Sequence, residues 1–104
     1  MALKQFFAPR SVAIIGASED LSKFGGRLFK SMIDFGYGGE LVPVNPGRKS
    51  VFGRVCYPGI ADVPHVPEHV GVVLAADRVL PALEQCAARG VPVGTMMPFQ
   101  VLAS

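Results

Sequence analysis

Two uninterrupted apolar runs constrain this chain more than anything else in it: Ser11-Val-Ala-Ile-Ile-Gly16 and Val70-Gly-Val-Val-Leu-Ala75. A strand with one face in water alternates apolar and polar residues. A continuous, β-branched run instead needs cover on both faces, which is the pattern of parallel sheets. Each run leads into a segment with helical spacing. After the first, Phe24, Leu28, Met32 and Phe35 recur at steps of four, four and three, and join Ile33 in one stripe. Ser22 stands where an N-cap belongs, and Gly36 where a left-handed residue would stop the helix. After the second run, Asp77 is placed to cap a helix that carries Pro81 in its first turn and ends at Gly90. Its inward face reads Val79, Leu80, Leu83, Cys86 and Ala87.

Shorter elements fill the intervals. Glu40-Leu-Val-Pro-Val44 is a second strand, whose Pro43 lacks a ladder donor and so suits a sheet edge. Residues 51–58 form a short, irregular third strand interrupted by Gly53 and Pro58, residues 62–68 a loop with Pro64 and Pro67, and residues 91–97 a last strand. The order β-α-β, short strand, β-α-β defines an α/β fold. It is a mostly parallel sheet of about five strands with helices on both faces and right-handed crossovers. Such sheets bind ligands beyond the carboxyl ends of their strands, where the strand order reverses beside the first strand. The loops after Gly16, Val44 and Ala75 lie there.

Composition sets the outer limits. With 104 residues, half of them hydrophobic and 17% charged, the chain has material for one domain, residues 1–104, and does not read as disordered. Ten Lys plus Arg against eight Asp plus Glu is too even for a nucleic-acid-binding surface, but leaves room for a local basic cluster around one phosphate group. No apolar run approaches the roughly 18 to 20 residues of a membrane span, and nothing at the N-terminus resembles an export signal. The expectation is a cytoplasmic protein with Cys56 and Cys86 reduced and buried.

The loop from Gly16 to Gly26 joins a strand to a helix, where helix amides and the helix dipole hold phosphates. Gly16 permits a sharp turn, Ser18 offers a hydroxyl, Lys23 places a cation at the helix start, and Gly25 leaves the backbone open to close approach. The spacing is neither G-x-G-x-x-G nor G-x-x-x-x-G-K-[ST], so an ordinary strand-to-helix turn is the competing reading. The second loop narrows the ligand. An NAD-specific domain ends its second strand in an acidic residue that binds the ribose hydroxyls, but here Asn45, Pro46 and Gly47 lead to Arg48 and Lys49. Two cations suit a ribose with an extra phosphate, as in coenzyme A or NADP. His65 and His69 lie beside a proline-rich loop without metal-ligand spacing, and Ser18 has no recognisable base, so neither catalysis nor a metal site is expected.

The segments Phe7-Ala-Pro-Arg-Ser-Val-Ala-Ile-Ile-Gly-Ala-Ser18, Lys23-Phe-Gly-Gly-Arg27, Gly39-Glu-Leu-Val-Pro-Val-Asn-Pro46 and Val55-Cys-Tyr-Pro58 resemble the coenzyme A-binding domain of the NDP-forming acyl-CoA synthetases, related to the succinyl-CoA ligase α subunit. The resemblance covers about residues 3–93 and implies a Rossmann-like fold. It further implies that Gly16, Ala17, Ser18, Lys23 and Gly25 surround the coenzyme's phosphates. Asn45, Pro46 and Arg48 would lie near its adenosine end, and Ala75 and Ala76 would line the floor after the fourth strand. Two departures stand out: Leu74-Ala-Ala-Asp77 lacks the family's proline, and Gly94-Thr-Met-Met-Pro-Phe99 lacks its G-F pair. The family continues into a further α/β unit, and its phosphorylated histidine and nucleotide-grasping domain lie farther on. The chain thus reads as a coenzyme A-binding module without catalytic machinery, lacking the last α/β unit. Alternatives are one subunit of a split acyl-CoA ligase, or an oligomeric scaffold without a ligand. The apolar residues Met96, Met97, Phe99, Val101 and Leu102 predict a homodimer or a partner subunit covering that edge.

Overall fold

The computed structural model describes residues 10–91 and the backbone of residues 96–100. The chain runs β1 (Ser11–Ile15), α1 (Phe24–Asp34), β2 (Glu40–Val44), β3 (Ser50–Val51), β4 (Arg54–Val55), a 3-10 turn (Ile60–Asp62), β5 (His69–Leu74), α2 (Ala76–Arg89) and β6 (Met96–Gln100). Four strands form one parallel sheet in the order β2-β1-β5-β6, so the chain steps from β1 to β2 in one direction and to β5 in the other.

Both faces of this sheet are covered, as the continuous apolar runs require. From β1, Val12 and Ile14 join Leu41, Val73 and the fully buried Phe29 of α1. Ala13 and Ile15 face the other way and join Val42, Val44, Val70, Val72 and the α2 residues Ala82 and Cys86. Pro43 is tolerated for a reason visible in the bonding: its carbonyl accepts the Tyr57 amide at 3.1 Å on the outer side of β2. The amide that proline lacks would have pointed outward too, so the ladder to β1 loses nothing.

Several expectations need correction. The third strand over 51–58 is a separate antiparallel hairpin of β3 and β4, followed by Tyr57, which bridges Val44. Its turn residues Phe52 and Gly53 both have positive φ, 48° and 79°, the backbone of a tight two-residue hairpin. The Phe52 ring stacks on Phe29 at 6.3 Å between centroids, and this docks the hairpin over α1. The last strand is Met96–Gln100 rather than 91–97, while Pro92 and Gly94 lie outside the described residues. The same holds for Phe7, Val101 and Leu102, and for the side chains of Met96, Met97 and Phe99.

Neither helix is capped as expected. Lys23 and Ala75 occupy the N-cap positions, without a side-chain hydrogen bond in either case. Ser22 instead bonds Asp20, and Asp77 lies inside the first turn of α2, which puts Pro81 in the second. The stripe on α1 holds in part: Leu28, Met32 and Ile33 pack against the core, but the fully covered positions are Gly25, Gly26 and Phe29, and Phe24 and Phe35 are exposed, Phe35 at 92%. On α2, Leu80 and Ala87 are exposed, and Ala82 takes the inward position beside Cys86. The two glycine stops hold: Gly36 and Gly90 have φ of 83° and 97°.

Candidate functional site

A cleft opens at the carboxyl edge of the sheet, where the loops after β1, β2 and β5 meet. It comprises two adjoining hollows of about 370 and 390 Å³ that share Gly16, Asn45, Leu74 and Arg78.

The β1–α1 loop is built by close packing. Gly16 has φ of 94°, and a β-carbon there would collide with the Val73 carbonyl. A β-carbon on Gly25 would collide with the Gly16 carbonyl. The backbone approach that Gly25 permits is therefore taken first by the chain itself. Helix α1 starts directly against the turn that ends β1, its N-cap Lys23 makes no side-chain capping bond, and Lys23, Phe24 and Gly25 of this helix start line the cleft. Asn45 ties the second loop to the first. Its Nδ2 donates to the Ala17 carbonyl at 2.9 Å, and its Oδ1 accepts the Gly47 amide at 2.9 Å. Ser18 is 4% exposed, and its hydroxyl accepts the Asp20 amide at 2.9 Å.

Of the residues singled out from the sequence, Gly16, Ser18, Lys23, Gly25, Asn45, Arg48 and Ala75 line the first hollow. Pro46 lines the second, with Asn45 and Gly16. Two do not line the cleft. Ala17 is fully buried beneath the loop, and Ala76 begins α2 outside both hollows. Sequence reasoning passed over Arg27, Ser22 and Phe24 in the first hollow, the apolar wall of Pro58, Ile60 and Pro81 in the second, and Arg78 in both. Arg27 sends Nη1 back to the Leu21 carbonyl at 3.1 Å and braces the loop.

The first hollow is strongly basic. Lys23, Arg27, Arg48 and Arg78 line it, and neither hollow is lined by a carboxylate. Glu19 is turned away to accept the Phe52 amide, at 2.6 Å. Asp20 stands near the loop, where the Ser22 hydroxyl and amide hold its carboxyl below the ordinary aspartate value and Lys23 and Arg48 reinforce the effect. Burial pushes the Cys56 thiol up, which disfavours its thiolate. His69 opens β5 at the opposite end of the sheet from the cleft. Among the described residues no three His, Cys, Asp or Glu side chains gather as metal ligands, and no helix is long and apolar enough to cross a membrane.

A parallel sheet whose strand order reverses over a basic cleft, with helices starting at that cleft, defines a nucleotide-binding domain of the Rossmann-like class. The chain belongs to the CoA binding domain family, whose model matches residues 10–101. Among curated relatives it is 36% identical over 97 residues to the acetate–CoA ligase (ADP-forming) I subunit alpha of Pyrococcus furiosus, covering 89% of this chain and 21% of the relative. It is 38% identical over 90 residues to the acetate–CoA ligase (ADP-forming) of Methanocaldococcus jannaschii, covering 86% of this chain and 12% of the relative. The apo acetyl-coenzyme A synthetase 1 of Ca. Korarchaeum cryptofilum superposes with a TM-score of 0.79 at 32% identity, over 86% of this chain and 19% of that one. A hypothetical protein from Pyrococcus horikoshii shares the fold, with a TM-score of 0.77 at 20% identity over 96% of this chain and 83% of its own. These matches support coenzyme A as the ligand and give NADP no support. The chain spans about a fifth or less of the ligases it matches.

Proposed function

We propose that this chain is a coenzyme A-binding module that holds the coenzyme in the basic cleft and has no catalytic machinery of its own. The observation that carries the reading is the convergence of two helix starts without side-chain caps and four cations on one carboxylate-free cleft, in a domain of the CoA binding family. The coenzyme's diphosphate lies on the Gly16–Gly25 loop, and Arg48 takes the 3′-phosphate. Calorimetric titration with coenzyme A, dephospho-coenzyme A, NAD and NADP tests this. Coenzyme A binds with the highest affinity, and Arg48→Ala reduces its affinity while sparing dephospho-coenzyme A. Tighter binding of NAD than of coenzyme A would overturn the reading.

A second reading places the module in the cytoplasm as one subunit of a divided acyl-CoA ligase. It is favoured by the relatives whose names mark them as α subunits of ADP-forming acetate–CoA ligases. Co-purification with a histidine-bearing or nucleotide-grasping partner tests it. The outer edge of β6 is the place for such a partner or for a second copy of the chain, and light scattering separates these outcomes from a monomer.

A further inference from the structure

We infer that Arg78 is a specificity-determining residue of this cleft, holding the coenzyme's diphosphate from the α2 side while the Gly16–Gly25 loop and Lys23 hold it from the α1 side. The inference rests on the coenzyme A reading above. Arg78 is the third residue of α2 and lines both hollows at their junction with Gly16 and Asn45. Any ligand that reaches from the phosphate loop into the second hollow passes it.

Its placement contradicts the local rules of helix design. A helix N-terminus carries positive partial charge, so a cation in the first turn is unfavourable there and an anion favourable. Asp77 in the same turn partly offsets this, but among the described residues Arg78 makes no ion pair and its side chain no hydrogen bond. It shares the first hollow with three other cations. A residue that breaks a local rule without internal compensation points to a functional demand. An anion in the cleft removes the conflict, because it satisfies Arg78 and the α2 terminus at once. A guanidinium reaching a diphosphate makes charge-assisted hydrogen bonds that a ligand without the diphosphate cannot offer.

The role separates from that of Arg48 by ligand. Arg78→Ala should weaken coenzyme A and dephospho-coenzyme A to the same extent, by about tenfold or more. It should weaken adenosine 3′,5′-bisphosphate, which keeps one of the diphosphate's two phosphates, by less, and leave adenosine 3′-monophosphate, which has neither, nearly unchanged. Arg78→Lys should recover part of the loss by restoring the charge. Arg78→Ala should also raise the melting temperature of the ligand-free protein, which a structural role for Arg78 would not do. Coenzyme A and dephospho-coenzyme A affinities within about twofold of the parent would overturn the inference. So would a loss confined to ligands bearing the 3′-phosphate. Failure of the parent protein to bind coenzyme A at all would instead overturn the underlying functional reading, and this inference with it.

Discussion

Asn45 is the residue whose loss separates architecture from ligand contact. Its side chain joins two loops that the strand order alone does not connect: Nδ2 donates to the Ala17 carbonyl and Oδ1 accepts the Gly47 amide. Asn45→Ala removes both bonds. An intramolecular hydrogen bond contributes about 1 kcal/mol net, and a carbonyl left unsatisfied under a packed loop costs about as much again, so the variant loses about 2 kcal/mol. The Gly47 amide is exposed and regains water, which keeps the total near that figure. For a domain of this size 1 kcal/mol shifts Tm by about 4–8 °C, so the ligand-free variant should melt about 8–16 °C lower, measured by circular dichroism. Asn45→Asp keeps the bond from Gly47 but turns a carboxylate toward the Ala17 carbonyl. It should be no more stable than the alanine variant, and the negative charge it adds to the cleft should weaken coenzyme A further. An alanine variant that melts within about 2 °C of the parent would refute the tie between the loops and leave Asn45 as a ligand contact alone.

Two further outcomes follow from the loop that Asn45 secures. Gly25→Ala gains roughly 0.5–1 kcal/mol of helix propensity but forces a β-carbon onto the Gly16 carbonyl, an overpacking cost of about 1–3 kcal/mol. Urea denaturation should show a net loss of about 1 kcal/mol, and an unchanged midpoint would mean that the helix shifts without penalty. Ser22→Ala removes the hydrogen bond from the hydroxyl to Asp20, leaving the one from the amide. The Asp20 carboxyl is held below its ordinary value when folded, so this interaction is present above the unfolded pKa and lost as pH falls through the folded one. In a carboxyl NMR titration the variant should move the Asp20 midpoint up, and an unmoved midpoint would assign the shift to the Ser22 amide and the neighbouring cations instead.

The strands were legible because burial on two faces leaves a pattern that little else produces. Val12 to Ile15 alternate between the α1 and α2 faces, and no residue could be polar. The helix faces were less legible because glycine carries no hydropathy. On α1, Leu28, Met32 and Ile33 of the stripe pack beside the core, but its centre is Gly25, Gly26 and Phe29, and Phe24 and Phe35 are exposed. The start of the helix meets the Gly16 carbonyl at Gly25, where any side chain would collide. The hairpin was hidden for a related reason. Its turn opens on Phe52 at φ 48°, where asparagine, aspartate or glycine would have signalled it, and the ring's stacking on Phe29 compensates. At the site, the loop positions were visible from glycines and strand ends. Arg78 was not, because the signal lies in an absence: a first-turn cation with no partner is recognisable only when its surroundings are known.

Topology explains why the anion site lies where it does. β1 and β5 are parallel neighbours, and each leads into a helix on a different face of the sheet, so α1 and α2 both begin at the same carboxyl edge. Each N-terminus contributes about half a positive charge, and neither is satisfied by a side-chain cap. The fold thus gives the cleft its polarity before any side chain is considered. Arg48 and Arg78, from the β2 loop and from α2, add to a field that is already positive and raise the electrostatic strain of the ligand-free protein. Affinity and stability are then coupled. At a ligand concentration of 100 Kd, binding stabilises the folded state by about 2.7 kcal/mol, roughly what the loss of Asn45 removes. Saturating coenzyme A should therefore restore the Asn45→Ala variant to about the melting temperature of the ligand-free parent, provided that the loop it loosens still closes on the diphosphate.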